Sequence, residues 1–394
     1  MQLKQTGRLG PALAAATCTL LSGQGAQAAE TEQVDVTSLQ YREVDRVNVD
    51  EEVIALKRKG KDEKRFSLKL YHDTITGASP NGAYFPSDTY TSPSGSSYSS
   101  TLAPITDERY AVSADWERED SRRQKTQYGL AYSIELDYDS LGANWSRSRD
   151  SQNRMRTYSY GYGFNYDVIH AEGGNPVGLA PATDTTRSNQ DNKLLFDFLG
   201  GVSQVLNRQG VFQLNYGLSL SNGYLSDPYK FISIDNDAVV DNLLYEKRPD
   251  TRLGHSLYAR VIYNIDDNVL KGSYRYYIDD WGILSHTLDM RYRYKLNNDF
   301  YLQPHFRHYS QRAADFYSIV FYDAPAASTY EYASADYRLG NLDSLTLGLQ
   351  AGTRIGKRTD LSLRYEILRQ TDRLGEFPSL NASILQLSFR YTAK

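Results

Sequence analysis

What the chain lacks narrows its class before any motif is read. One of its 394 residues is cysteine, Cys18, and it falls in an N-terminal stretch that reads as an export signal. Lys4 and Arg8 precede an apolar run from Pro11 to Leu21, and Ala26-Gln27-Ala28 supplies the small-x-small pattern of a signal-peptidase site. Residues 1–28 are therefore expected to be removed on export; Ala15-Ala16-Thr17 before Cys18 do not form a lipoprotein signal. A mature chain without cysteine excludes disulfide frameworks, thiolate nucleophiles and cysteine-based metal sites. Beyond the signal there is no run of about 18 apolar residues, so no transmembrane helix is available. No polybasic tail or basic stripe is present, and 44 basic against 48 acidic residues leave a formal charge of −4, which argues against nucleic acid as a partner.

Tyrosine is plentiful instead, 33 residues against 13 phenylalanines. Tyr158, Tyr160, Tyr162, Phe164 and Tyr166 fall on alternate positions, with Ser159, Gly161, Gly163, Asn165 and Asp167 between them. A strand sends successive side chains to opposite faces, so this segment has one aromatic and one small, polar face. Amphipathic tyrosine suits a surface that passes from hydrocarbon through headgroups into water. A mean hydropathy of −0.58 does not oppose this, because only alternate residues of a membrane barrel face lipid.

The same alternation recurs along the chain and predicts an all-β, transmembrane antiparallel β-barrel of outer-membrane type. Residues 29–65 are charge-rich (Glu51-Glu52, Lys57-Arg58-Lys59) and read as a periplasmic lead-in, with a short inner plug as the alternative; the barrel is expected over 66–394. Alternating segments open at Phe66, Tyr110, Tyr128, Leu141, Tyr158, Phe196 and Phe212. Others follow near 253–265, 269–278, 284–296, 300–310, 315–322, 330–339, 343–355, 360–371 and 382–391, sixteen in all, with fourteen and eighteen as the neighbouring solutions. Long connections near 77–108, 169–192 and 223–250 all follow odd segments, while tight turns such as Asn297-Asn298-Asp299 follow even ones. Bacterial barrels alternate long outer loops with short periplasmic turns, so both termini are expected on the periplasmic side. The closing pattern Leu385, Leu387, Phe389, Tyr391 alternates as barrel-assembly signals do, displaced by Thr392-Ala393-Lys394.

Splitting strands into faces locates the candidate lumen. In one segment Leu284, Leu288, Met290, Tyr292, Tyr294 and Leu296 share a face opposite Asp289, Arg291, Arg293 and Lys295. A lipid-facing arginine costs about 2–4 kcal/mol at the midplane, so the charged set must face inward. Glu135, Asp137 and Asp139, then Arg354, Asp360, Arg364 and Glu366, are assigned to the same interior. A mixed-charge wall of this kind reads first as a solvated or salt-bridged lining that holds the barrel's shape, and alternatively as an ion-selective or substrate-binding constriction.

Enzymatic chemistry finds no support in the sequence. His72, His170, His255, His286, His305 and His308 show no catalytic constellation and no i, i+2 or i, i+4 metal pair; His286 falls on the lipid side, and His305 and His308 point to opposite faces. Gly356-Lys357-Arg358-Thr359 lacks the upstream glycines of a nucleotide loop. No catalytic, cofactor-binding or metal site is expected.

The run Asp73-Thr74-Ile75-Thr76-Gly77-Ala78-Ser79-Pro80 resembles a signature near the start of an uncharacterised outer-membrane family, domain of unknown function 3570. Glu135-Leu136-Asp137-Tyr138-Asp139-Ser140 is similar to the same family, as are Phe306-Arg307-His308-Tyr309-Ser310-Gln311 with Ala314-Asp315-Phe316-Tyr317, and Ser334-Ala335-Asp336-Tyr337-Arg338-Leu339. The resemblance implies an outer-membrane barrel and brings no catalytic residues. Family members resemble components of gene neighbourhoods with a small lipoprotein and a flavin-transferring enzyme, which implies a periplasmic redox or assembly partner. The expected function is a porin-like channel or transport sleeve with a polar, mixed-charge lumen. The alternative is a structural or surface-interaction barrel acting through its long loops. Expected partners are outer-membrane lipids, the barrel-assembly machinery, and small solutes or a periplasmic protein.

Overall fold

The computed structural model describes residues 31–60, 64–91, 97–119, 123–236, 239–322, 330–374 and 379–393; the expected signal at 1–28 lies outside them. Sixteen strands carry the fold: β1 (Thr31–Glu43), β2 (Val47–Lys59), β3 (Arg65–Thr91), β4 (Ser97–Glu119), β5 (Gln124–Ile134), β6 (Tyr138–Asp150), β7 (Arg156–Ile169) and β8 (Asp191–Val205). They continue as β9 (Gly210–Gly223), β10 (Thr251–Ile265), β11 (Asn268–Asp279), β12 (Leu284–Lys295), β13 (Phe300–Arg312), β14 (Leu342–Ile355), β15 (Thr359–Asp372) and β16 (Leu380–Ala393). Each pairs antiparallel with its sequence neighbours, and β1 closes on β16 from Glu32↔Ala393 to Glu43↔Ala382, leaving no free edge. Closure matters because an unpaired edge cannot be hydrated inside hydrocarbon.

The two faces follow the sequence period. On β7, Tyr162 is 45% exposed on the outside, while Asn165 and Asp167 are 4% and 3% exposed on the inside. Outward aromatics from neighbouring strands meet in that belt: Trp145 stacks on Tyr162 at 6.0 Å, and Tyr162 contacts Phe198 at 5.4 Å. The outer histidines join it through tyrosines, with Tyr216 Oη 2.7 Å from His255 Nδ1 and Tyr274 Oη 2.6 Å from His286 Nδ1. Inside, glycines make room for asparagines that lie flat on the wall. A Cβ at Gly129 would come within 2.2 Å of Asn144 Nδ2, and one at Gly142 within 2.4 Å of Asn165 Oδ1.

Two segments differ from expectation, and the differences offset. Residues 31–59 are no lead-in: they form β1 and β2 within the closed barrel. Their outward stripe is short, chiefly Val36, Ile54 and Leu56, and charges at both ends of β2 disguise it. Conversely, 315–322 and 330–339 are not wall strands but part of the connection between β13 and β14. Their apolar residues alternate because they line a core inside the mouth: Phe321, Ala333, Ala335 and Tyr337 are all buried there. Two strands missed and two overcounted leave the number and its parity intact. The Tyr158–Tyr166 segment becomes the seventh strand, still odd.

The connection expected at 77–108 is largely a hairpin, since β3 and β4 keep pairing as far as Thr91↔Ser97. The turn after β5 spans residues 135–137, and Asp139 pairs with Ile134, which places Asp139 on the outer face rather than in the lumen. There it accepts a hydrogen bond from the exposed Tyr132 at 3.2 Å.

Candidate functional site

The connections on one end of the barrel fold together instead of standing apart. Phe231–Asn236 pairs antiparallel with Val239–Tyr245 and parallel with Phe321–Tyr322, giving a small sheet built from two different connections. The β7–β8 connection joins through backbone bonds, Leu179 N to Tyr245 O at 3.0 Å and Ala182 N to Leu243 O at 2.8 Å. Beneath the sheet, Ile232 and Ile234 (0% and 1% exposed) pack against inward residues of the wall: Leu39 and Tyr41 of β1, Leu368 of β15, and Leu380, Ala382 and Ile384 of β16. Further contacts are spread around the rim. Gly82 of β3 abuts the carbonyl of Phe231, Gln311 of β13 donates to the carbonyls of Arg338 and Gly340 at 2.9 Å each, and Trp281 and Ile283 after β11 pack on Ala314 and Leu339. These anchors run from the connection after β11 through β13, β15 and β16 to β1 and β3, while two of the connections they hold leave the wall between β7 and β10 on the facing arc, so this loop body lies across the mouth.

A buried ionic network staples it. Arg248 donates to Glu246 and Asp336 at 2.8 Å each, while Arg338 reaches Asp227 at 2.8 Å and grips Asp336 through Nε at 2.6 and 2.7 Å. Ser334 Oγ donates to the other oxygen of Glu246, and the Asp227 amide to Oε1 at 2.5 Å. Lys230, 4% exposed, donates to the carbonyl of Pro80 and so ties in the β3–β4 hairpin. Three carboxylates thus meet three cations with little water, which is the condition under which buried charge is tolerated. Burial would push Asp227 and Asp336 up, but Arg338, Lys230 and Arg248 outweigh it: Asp227 is brought down to about 2 and Asp336 lower still. Glu246 goes the other way, raised by burial beyond what Arg248 recovers.

The charged residues expected in the lumen separate into distinct places. Asp289, Arg291, Arg364 and Glu366 come together around a residue the sequence reading set aside, His305. Its Nε2 lies 2.8 Å from Asp289 and its Nδ1 2.7 Å from Glu366; Arg291 and Arg364 back the two carboxylates at 3.4 and 3.5 Å. This clamp links β12, β13 and β15 across the inner wall. Inward parity on β13 puts His305 there, and only the cross-strand register, Arg291↔His305, shows what it meets. Arg293 lies over the Tyr301 ring at 4.0 Å and donates to Gln303 at 3.1 Å. Lys295 and Arg354 sit at the short-turn rim, paired with Asp267 at 3.1 Å and Asp360 at 3.3 Å. Glu135 and Asp137 are at the opposite end, in the turn after β5, where their carboxylates and that of Asp107 lie within 4.8 Å of one another.

The stretches that carry the family resemblance converge on the loop body: Pro80 accepts from Lys230, Ala314 packs on Leu339, and Ser334, Asp336 and Arg338 belong to the ionic staple. The family model for DUF3570, a protein family of unknown function, matches residues 10–391. The chain belongs to that family. No curated protein matches it. Among solved structures it is similar to the ferric enterobactin receptor PfeA of Pseudomonas aeruginosa (10% identity, 87% of this chain and 54% of that one, TM-score 0.43). It is also similar to OccK5 (OpdH) of the same organism (8% identity, 94% and 100% covered, TM-score 0.41) and to a bacterial polysaccharide outer-membrane secretin (7% identity, 94% and 100% covered, TM-score 0.45). Likeness at this level extends to general architecture alone, and the chain spans about half the receptor's length.

Proposed function

We propose that this DUF3570 protein is a porin-like transport barrel of the outer membrane whose outer mouth is closed at rest by its own loops. One observation carries the reading: three connections that a display scaffold would hold apart, those after β7, β9 and β13, are folded into a common core with a balanced ionic staple, above inward-facing polar and charged side chains. Long connections lie outside and short turns face the periplasm in bacterial barrels, so the loop body is the outer gate and the short-turn end is the periplasmic opening. Residues 1–28 serve as the export signal in this reading. It assigns no catalysis to the protein; both ring nitrogens of His305, the most enclosed histidine of the lumen, are engaged by carboxylates.

Surface interaction remains a second reading for one part of the molecule. β3 and β4, 27 and 23 residues long, exceed the roughly 10 residues a tilted strand needs to cross hydrocarbon, and their hairpin continues past Gly82, where it touches the loop body.

Single cysteines test the gate, because the native chain has none beyond Cys18. With Ser273→Cys on the inner face of β11, a membrane-impermeant thiol reagent should label the lumen from the periplasmic side and not from outside. Equal labelling from outside would show that the loop body does not close the mouth.

A further inference from the structure

The inner wall below the loop body is not evenly mixed in charge. On β10 to β15 the inward positions include Arg260, Lys271, Arg291, Arg293 and Arg364, and cross-strand register brings them together. Lys271 lies directly opposite Arg291; Arg293 is two residues along the same face of β12; Arg260 is on the diagonal from Lys271, whose direct partner on β10 is Ile262. Direct partners on one face have Cβ atoms about 5 Å apart and diagonal ones about 7–8 Å apart, so four cations share one patch of wall. Asp289 lies on the other diagonal from Lys271, opposite Ser273, and is held by His305.

Among the described residues, Arg260, Lys271 and Arg293 form no ion pair. The carboxylates of the neighbourhood, Asp289 and Glu366, are already held by His305 and serve Arg291 and Arg364. Several other cations of the inner wall are paired: Lys57 and Arg390 share Asp35 at 2.7 Å each, Arg65 meets Glu117 at 2.9 Å, and Arg109 meets Asp73. Unpaired like charges on one face are unfavourable unless a mobile anion screens them, and rings of Arg and Lys are what select anions in pores.

We infer that Arg260, Lys271, Arg291 and Arg293 form an anion-binding site in the periplasmic half of the lumen. It takes a small solute carrying carboxylate, phosphate or sulfonate groups, and makes the barrel anion-selective. Arg291 and Arg293 supply planar donors suited to such oxyanions, and Lys271 supplies a point charge between them. The inference deepens the transport reading and rests on it for the selectivity, though not for the binding.

The test uses the full chain in detergent with pyranine, a trisulfonated fluorophore, followed by anisotropy. Saturable binding that weakens with salt is expected. It should weaken by about tenfold or more in Lys271→Gln/Arg293→Gln, and far less in Lys57→Gln, which removes an ion-paired cation from another part of the wall. Equal binding by the double variant and the wild type, or no binding by either, overturns the site. The same proteins, each also carrying Arg248→Met to loosen the gate, are then placed in planar bilayers under a KCl gradient. A reversal potential set mainly by chloride, shifted towards potassium by the double substitution, supports the site. Potassium-selective current refutes the selectivity. Absence of current from every variant, with pyranine binding retained, refutes the transport reading and leaves the site standing.

Discussion

Replacing Arg248 by methionine should open the mouth while leaving the barrel closed as a cylinder. The guanidinium is 7% exposed and bridges Glu246 (0%) and Asp336 (1%), each at 2.8 Å. After its loss Asp336 keeps Arg338, but Glu246 retains only neutral donors, the Asp227 amide and the Ser334 hydroxyl. Stranding one partner of a buried ion pair costs about 3–5 kcal/mol, and the remaining bonds put this case near 3, roughly a hundredfold shift towards the open loop body. The wall itself rests on sixteen antiparallel ladders that do not pass through Arg248. Limited proteolysis of the protein in vesicles should therefore cut Arg248→Met within 224–250 or 313–341 at concentrations that spare the wild type. The heat-modifiable mobility of the barrel should be unchanged. Because a neutral isostere of the pair avoids the stranded charge, Glu246→Gln/Arg248→Met should regain most of the protection. An Arg248→Met protein as resistant as wild type, or one whose barrel melts with its loops, would refute the idea that the ionic staple holds a separable gate.

Tyr162→Arg places a charge in the middle of the outer aromatic belt and should destabilise the barrel in lipid by about 2–4 kcal/mol in denaturant unfolding; an unchanged midpoint would deny that face to hydrocarbon. Gly82 has φ +87°, and a Cβ there would meet the Phe231 carbonyl at 2.3 Å, so Gly82→Val should loosen the loop body by about 1–3 kcal/mol, seen as faster hydrogen exchange in 231–236 with the wall unaffected. The staple should also fail in acid. Asp227 and Asp336 are held below the usual carboxylate value near 4, so their contribution is complete above that value and fades as pH falls through about 2 for Asp227. Glu246, raised by burial, has the opposite sign and favours the closed state as it protonates. Pepsin should accordingly leave the loops uncut near pH 4 and cleave them towards pH 2.

The barrel was legible because the wall obeys a period of two against two solvents. Tyr158 to Tyr166 could be assigned a lipid face from composition alone, and Asp289 to Lys295 a lumen face from the cost of the alternative. What period two does not report is which apolar surroundings an alternating stripe meets. Ala333, Ala335, Tyr337 and Leu339 alternate as cleanly as a wall strand, yet they pack inside the mouth. β1 and β2 carry so few lipid-facing residues that charge composition concealed them. The staple joins residues from Lys230 to Arg338, separations that no local pattern encodes, although the stretch around Asp336 stood out by its resemblance to a family. His305 and His308 could be placed on opposite faces, but the partners of His305 on β12 and β15 depend on register that sequence alone does not fix.

Single-channel recording in planar bilayers tests the central claim most directly. The wild-type barrel should be largely silent, and the same protein carrying Arg248→Met, shown to keep its heat-modifiable mobility, should give discrete, reproducible conductance steps. Wild-type channels that stand open, or a variant with a loosened loop body that still passes no current, would contradict a transport barrel gated by its own loops.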